Sequence, residues 1–356
     1  MIWSKFLAEL PQIKQHLFNQ SRFSFAPRPD LNIGMGSPDF SLFIGDNLEV
    51  LRFLLKKDNL EPYDLIFIDP PYNSRKDAII NDYPSSKSSI WYNGCTHLQW
   101  LKMMYNRLFF SSKLLNPERG VILLCCDDKE HPYLRLMLDL ILGENNFIGT
   151  YIWKSFEGVK DNAIFTHSHT YILIYAKNLK SLKKVIKESK THALFKQSGS
   201  ILDSFDSSIK AREELFNTLG IISEKIKSDL HKADWIRFLN PKPLDLLGFL
   251  LEKWTFVPNA RVLDLFSGTS SLLISSMHHN LKKQHQVSVS GIQYPFPLVD
   301  FFRSPRAEYP EISKLVLSDL TLIRLKQTLI QNSWNEKYQI RVWKQILKPR
   351  NNFSKL

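Results

Sequence analysis

Residues 64–73 read Asp64-Leu65-Ile66-Phe67-Ile68-Asp69-Pro70-Pro71-Tyr72-Asn73. The first half is a short continuous apolar run, the pattern of a strand buried on both faces. It stops at an acidic residue and two prolines, which fix the backbone and donate no hydrogen bonds. The carbonyls of such a turn are available to a ligand. An Asp carboxylate beside a carbonyl makes a pair of acceptors for an exocyclic amine. It orients the nitrogen lone pair and stabilises positive charge developing on nitrogen. Tyr72 adds a flat face on which an extruded base would stack, an interaction worth about 1–3 kcal/mol.

Working outward, the same βα rhythm recurs. Ser41 to Ile44 reads as a strand stopped by Gly45-Asp46-Asn47, and a helix follows through Leu48, Leu51 and Leu54. Residues 97–115 carry apolar residues at helical period, and Gly120 to Cys125 is a strand ending at Asp127-Asp128. A helix over 131–142 and strands over 147–153 and 170–175 come next. After a Lys- and Ser-rich stretch the rhythm resumes with a helix to Trp254, a strand over Val262 to Phe266, the turn Ser267-Gly268-Thr269-Ser270-Ser271 opening a helix, and a strand from Gln286 to Gln293. Short apolar strands alternating with helices predict an α/β fold, a doubly wound and mostly parallel sheet. Sites in such sheets form at the carboxyl ends of strands. Three loops place polar residues there: Gly45 to Asn47, Asp69 to Asn73, and Phe266 to Ser271. The last suits an amino-acid-bearing nucleoside, because Gly268 permits close backbone approach and a helix N-terminus favours a carboxylate.

The flanks read differently. Residues 1–38 predict an amphipathic helix (Leu7, Leu10, Ile13, Leu17) followed by a loop, and the tail from 311 predicts a basic helical segment. Residues 177–196 hold seven lysines against one glutamate, either a solvated face or a phosphate-contacting one. The chain has 356 residues, 44% of them hydrophobic, and a formal net charge of +12. A sizeable core is expected, and a polyanionic partner is plausible on charge. Three cysteines, Cys95, Cys125 and Cys126, without a CxxC pair suit a reducing cytoplasm. Neither a signal peptide nor a membrane span is expected. Asp127, Asp128 and Glu130 lack a histidine at ligand spacing, and His167 and His169 read as loop residues, so no metal site is expected.

Taken together these segments resemble the beta-group amino-methyltransferases, and within them the modification subunits of type III restriction–modification systems. Ile44 to Leu51, Leu65 to Asn73, Trp100 to Leu108, Asp127-Asp128, Phe147 to Lys154, His169 to Asn178, Asn240-Pro241-Lys242-Pro243, Val262 to Ser271 and Ile292 to Pro295 carry the likeness. It covers about 40–178 and 240–330, with the catalytic motif ahead of the cofactor loop, the permuted order of this group.

The resemblance implies a Rossmann-like fold, S-adenosyl-L-methionine as donor and N6 of a flipped adenine in double-stranded DNA as acceptor. It makes Asp69, Pro70, Pro71 and Tyr72 the catalytic residues. Asp46, Asn47, Lys242, Asp264, Phe266, Ser267, Gly268, Thr269, Ser270 and Gln293 become the cofactor side. The organisation implied is a helix and loop (1–38), a catalytic half (39–154), an inserted target-recognition region (155–239), a cofactor-binding half (240–310) and the tail (311–356). A restriction subunit or a homodimer would be the partner. The alternative is a catalytically weakened homologue that binds DNA or a partner, and a weaker option is an amine in RNA or protein. The feature that separates the first two is Ser270, which stands where the family carries a second glycine; a Cβ is costly there if φ is positive. Phe296 and Thr170 stand where acidic residues are common.

Overall fold

The computed structural model describes residues 2–17, 21, 23–72, 97–155, 168–189, 191, 195, 200–219, 241–282, 286–295 and 316–347. Cys95, Asn73, His167, Asn240 and Phe296 lie outside them.

The described elements, in chain order, begin with α1 (Ile2–Leu17), β1 (Phe23–Pro27), β2 (Ser37–Ile44), α2 (Asn47–Leu54), β3 (Leu65–Ile68), α3 (His97–Leu114), β4 (Val121–Cys126) and α4 (His131–Leu142). They continue with β5 (Phe147–Lys154), β6 (His169–Ala176), α5 (Leu179–Glu188), β7 (Ile201–Leu202), α6 (Ser208–Leu219) and α7 (Leu244–Trp254). The last are β8 (Ala260–Asp264), α8 (Ser271–Lys282), β9 (Val287–Gln293), α9 (Leu317–Gln331) and β10 (Tyr338–Leu347).

The strands form one sheet in the order β1-β10-β2-β9-β8-β3-β4-β6-β5-β7. From β10 to β4 every neighbouring pair is parallel; β1 and β6 run antiparallel to their neighbours. All four residues of β3 and all six of β4 are buried, as the uninterrupted apolar runs predict. One face is covered by α1 to α4, through Leu10, Leu51, Met104 and Leu138. The other is covered by α7, α8 and α9, through Leu250, Leu273, Met277 and Leu325.

This division fixes where a site can form. From β3 the chain leaves to the α3 face, and from the neighbouring β8 it leaves to the α8 face. β3 and β8 are therefore the point where the winding reverses, and in open α/β sheets ligands bind outside the carboxyl ends of the strands at such a point.

Three flanking segments differ from expectation. The loop expected before residue 38 contains β1, which pairs with β10. In α1 it is Phe6 that is buried, while Leu7 is 41% exposed. The tail is helical only over Leu317–Gln331; Tyr338–Leu347 is a strand inserted between β1 and β2. Its buried Tyr338, Ile340 and Val342 alternate with more exposed residues, including Arg341, a period of two that the basic composition obscures. Among the described residues no helix is long and apolar enough to cross a membrane.

Candidate active site

Asp69 follows β3 directly and is held on both oxygens. Its Oδ1 accepts from the Tyr72 hydroxyl at 2.8 Å, and its Oδ2 accepts from Lys242 Nζ at 2.6 Å. Lys242 Nζ also donates to the Tyr72 hydroxyl at 3.1 Å. Lys242 is buried, and its ammonium lies 5.4 Å from the Tyr72 ring and 5.8 Å from the Trp153 ring. Pro70 is buried beneath the turn, and the Pro71 carbonyl accepts from Trp100 Nε1 at 2.9 Å. Burial, with the Asp69 carboxylate beside it, holds the Tyr72 phenol well above its ordinary range, so it stays a donor. Burial likewise raises the Cys125 and Cys126 thiols, which therefore stay protonated.

Asp264 ends β8, in register with Phe67 of β3. It is 2% exposed, and burial raises its carboxyl to about 7, against the pull of a bond from Ser267 and with a further push from the Asp69 charge. Its Oδ1 has no hydrogen-bond partner among the described residues. The loop beyond it is pinned to the next strand by Ser267 N donating to Ile292 O at 2.9 Å. Gly291 makes that approach possible, because a Cβ there would lie 2.6 Å from Ser267 Oγ. Gly268 and Ser270 both have positive φ, +53° and +65°. Left-handed backbone costs a non-glycine residue about 1–2 kcal/mol, so Ser270 holds a conformation that glycine would adopt freely. Ser270 is fully buried, and its Oγ has no partner among the described residues. Ser267 and Thr269 are buried as well, and Phe266 is half-buried.

Asp46 caps α2, accepting from Leu48 N at 2.8 Å and Glu49 N at 3.4 Å. Asn47 Nδ2 donates to Leu265 O at 2.9 Å, tying this turn to the loop after β8. Gln293 ends β9 beside Ile44 of β2, and its backbone carbonyl accepts from Gly45 N at 3.0 Å. Thus Asp46, Gln293, Asp264 and Asp69 stand at the carboxyl ends of four successive strands, β2, β9, β8 and β3. Lys242, grouped with the cofactor side in the sequence, donates to Asp69 and Tyr72.

Sequence reasoning missed several supports. Arg107 of α3 is buried; its Nε donates to Asn47 Oδ1 at 2.5 Å, and Nη2 lies 3.3 Å from both Asp46 oxygens. Its position in an apolar helical stretch was the available signal, since a buried arginine needs partners. Thr321 and Arg324 of α9 reach the loop after β8 with no local signal at all. Glu130, read as a strand-end residue, is fully buried and 2.6 Å from His97 Nε2. Asp128 accepts from the Tyr171 hydroxyl at 2.8 Å and lies 3.3 Å from His169. Among the described residues no group of three or more His, Cys, Asp or Glu side chains is arranged to hold a metal ion.

The profile of the DNA methylase family, the N6 and N4 methyltransferases, matches residues 63–290. The chain is similar to the type II methyltransferase M.KpnI of Klebsiella pneumoniae, 33% identical over 174 residues, covering 48% of this chain and 40% of the relative. It is similar to the Mod subunit of the type III restriction-modification enzyme StyLTI of Salmonella typhimurium, 35% identical over 157 residues, covering 38% of this chain and 24% of the relative. The chain thus spans well under half the length of these relatives. Among solved structures it is similar to the PvuII DNA methyltransferase, described as cytosine-N4-specific, with 14% identity and a TM-score of 0.48 over 86% of this chain and 98% of that one.

Proposed function

The chain belongs to the DNA methylase family, and on that premise we propose that it transfers a methyl group from S-adenosyl-L-methionine to N6 of a flipped adenine in double-stranded DNA. The observation that carries this is the row of strand ends: an amine acceptor, Asp69, one strand away from the buried carboxylate Asp264 and the loop 265–270.

The residues present fit a donor with a cationic centre and an amino-acid moiety. Asp264 is a buried carboxylate with an orphaned oxygen, which a cation would satisfy. Nothing lies within 4 Å of where a Cβ on Gly268 would sit, so the backbone there is open to close approach. The amino end of α8 favours a carboxylate. Asp46, Asn47 and Gln293, on the far side of the row, would hold the nucleoside part.

When bound, S-adenosylmethionine supplies a methyl carbon activated by sulfonium. Asp69 would accept a hydrogen bond from one N–H of the adenine amine and the Pro70 carbonyl one from the other, since Pro71 is committed to Trp100. Tyr72 would swing from Asp69 Oδ1 to stack on the base, freeing that oxygen while Lys242 keeps Oδ2. The nitrogen lone pair, aimed by these two acceptors, would attack in line, the N–C bond forming as the S–C bond breaks with its electron pair left on sulfur, and the methylated nitrogen would then pass one proton by way of Asp69 to water. The chain contributes alignment and exclusion of water rather than covalent catalysis.

Asp at the head of the motif supports adenine over cytosine through the family resemblance, and the type III Mod relative supports a restriction–modification setting or an orphan of one. Residues 155–239 would read the target sequence, and a restriction subunit or a second copy would be the partner. A second reading, a homologue that binds DNA or a partner without turnover, is favoured by Ser270 at φ +65°. Calorimetric titration of S-adenosylmethionine, followed by tritiated-methyl transfer to varied DNAs with Asp69→Ala as control, separates the two. Binding and Asp69-dependent label are expected. No binding at millimolar donor would leave the second reading.

A further inference from the structure

The backbone either side of Ser270 is gripped from outside the segment that the family profile spans. Arg324 is fully buried in α9, and its Nη1 donates to Thr269 O at 3.1 Å, Thr269 Oγ1 at 2.9 Å and Ser271 Oγ at 2.9 Å. Three residues earlier on the same helix, Thr321 Oγ1 donates to Gly268 O at 2.7 Å. The other arm of the guanidinium, Nη2, meets Glu214 Oε2 of α6 at 2.5 Å.

The chemistry of this bracket is specific. The Thr269 carbonyl belongs to the peptide immediately before Ser270, so its direction sets φ there together with the Ser270 N to Ser267 O bond of 2.6 Å. Ser271 Oγ lies on the other side. One arm of the guanidinium, Nη1, carries the loop contacts on both sides of Ser270 while the other, Nη2, is held in the same rigid plane on Glu214, a two-point grip that the single point charge of a lysine cannot reproduce. Glu214 supplies the counter-charge that a buried guanidinium requires.

We infer that Arg324 is a positioning residue for donor binding: it holds Ser270 in the left-handed conformation that a glycine would reach without help, and so keeps the loop in its ligand-ready shape. This rests on the loop 265–270 being the donor's cradle. Through Glu214 the bracket also ties the cradle to the inserted region, where α6 lies.

The full-length chain is titrated with S-adenosylmethionine by calorimetry, and the thermal midpoint of each variant is recorded. Arg324→Lys weakens donor binding about tenfold. Ser270→Gly in the Arg324→Lys background restores it to within about threefold of wild type, because glycine no longer needs the grip. Glu214→Gln, a milder change, weakens binding about threefold and carries the test if Arg324→Lys does not fold. A purely structural arginine would lower the midpoint while the folded variant bound donor as wild type does. That result, or weakened binding that Ser270→Gly does not restore, overturns the inference. Wild type that takes up no donor at millimolar concentration overturns the functional reading and this inference with it.

Discussion

Lys242 Nζ lies 2.6 Å from Asp69 Oδ2, joining residues 173 positions apart in the sequence. The lysine reaches the acceptor from the turn before α7, on the opposite face of the sheet from α3. Its charge fixes the direction of one carboxylate oxygen and leaves the other to Tyr72. If this is its role, Lys242→Met lowers kcat by about 10- to 100-fold, in the range of a lost charge-assisted contact. The dissociation constant for S-adenosylmethionine changes less than about threefold. Steady-state kinetics with calorimetric donor binding checks this, and the opposite split, intact kcat with lost donor affinity, returns Lys242 to the cofactor side.

With Asp264 facing the donor as proposed, donor binding is expected to depend on pH. Its carboxyl sits at about 7 in the fold, raised by burial from 3.8. A cationic ligand favours the charged carboxylate, so affinity rises with pH through that value. A group titrating near 7 is roughly 10% ionised at pH 6 and 90% at pH 8, which sets the gain at about tenfold. Asp264→Asn removes the dependence and leaves the weak level. Titrations at the two pH values test this, and a flat wild-type profile refutes it.

The same group has the opposite effect on stability. A carboxyl raised in the fold stabilises fully below its unfolded value, and that contribution is lost as pH rises through the folded one. Free energy of unfolding from Asp264 therefore falls between 3.8 and about 7 and is level above. At 1.36 kcal/mol per unit the full loss is at most about 4 kcal/mol. Urea melts of wild type and Asp264→Asn at roughly pH 5 and 8 measure it; the asparagine variant should gain relative to wild type at the higher pH.

How far the molecule could be read from its sequence follows from the range of the interactions involved. β3 and its turn were legible because a continuous apolar run and two prolines are local signals. So were the strand ending at Asp264 and the loop after it; that Asp46 caps α2 emerged only from the structure. Ser270 could be flagged as a departure, yet its φ of +65° depends on bonds made across the loop. β10 was obscured because the basic composition of the tail as a whole, to which Arg341 and Lys344 contribute, hid the inward alternation of Tyr338, Ile340 and Val342. Arg324 was invisible for a simpler reason, since its loop partner lies 55 positions away and nothing local marks it; Arg107, with a partner 60 positions away, left only its place in an apolar helical stretch as a trace.

Arg107 gives a prediction on the far side of the site. It is buried against Asp46 and Asn47, and Asn47 in turn holds the Leu265 carbonyl. Arg107→Leu leaves Asp46 with its backbone donors but no counter-charge and Asn47 Oδ1 without its arginine, and a buried pair that loses one member costs about 3 kcal/mol. Donor affinity falls with it, since both ends of the α2 turn lose their anchor. Denaturant midpoints together with calorimetry test the coupling; unchanged donor affinity in a destabilised variant would confine Arg107 to folding.

The lysines of α5 decide between solvent and phosphate. Lys180, Lys183, Lys184 and Lys187 are all exposed, and only Lys184 has a described ion pair on this helix, a 3.8 Å contact with Glu188. Exposed pairs of that kind contribute little, so the stripe is available to a polyanion. Each phosphate neutralised adds about 0.9 to the slope of log K against log salt. Replacing all four with glutamine lowers that slope by about 3 to 4 if every one meets the duplex, and DNA affinity drops uniformly across sequences. Fluorescence anisotropy with a labelled duplex at several salt concentrations reads it directly. A slope that stays put assigns the stripe to solvent and moves the duplex contacts elsewhere on this basic chain.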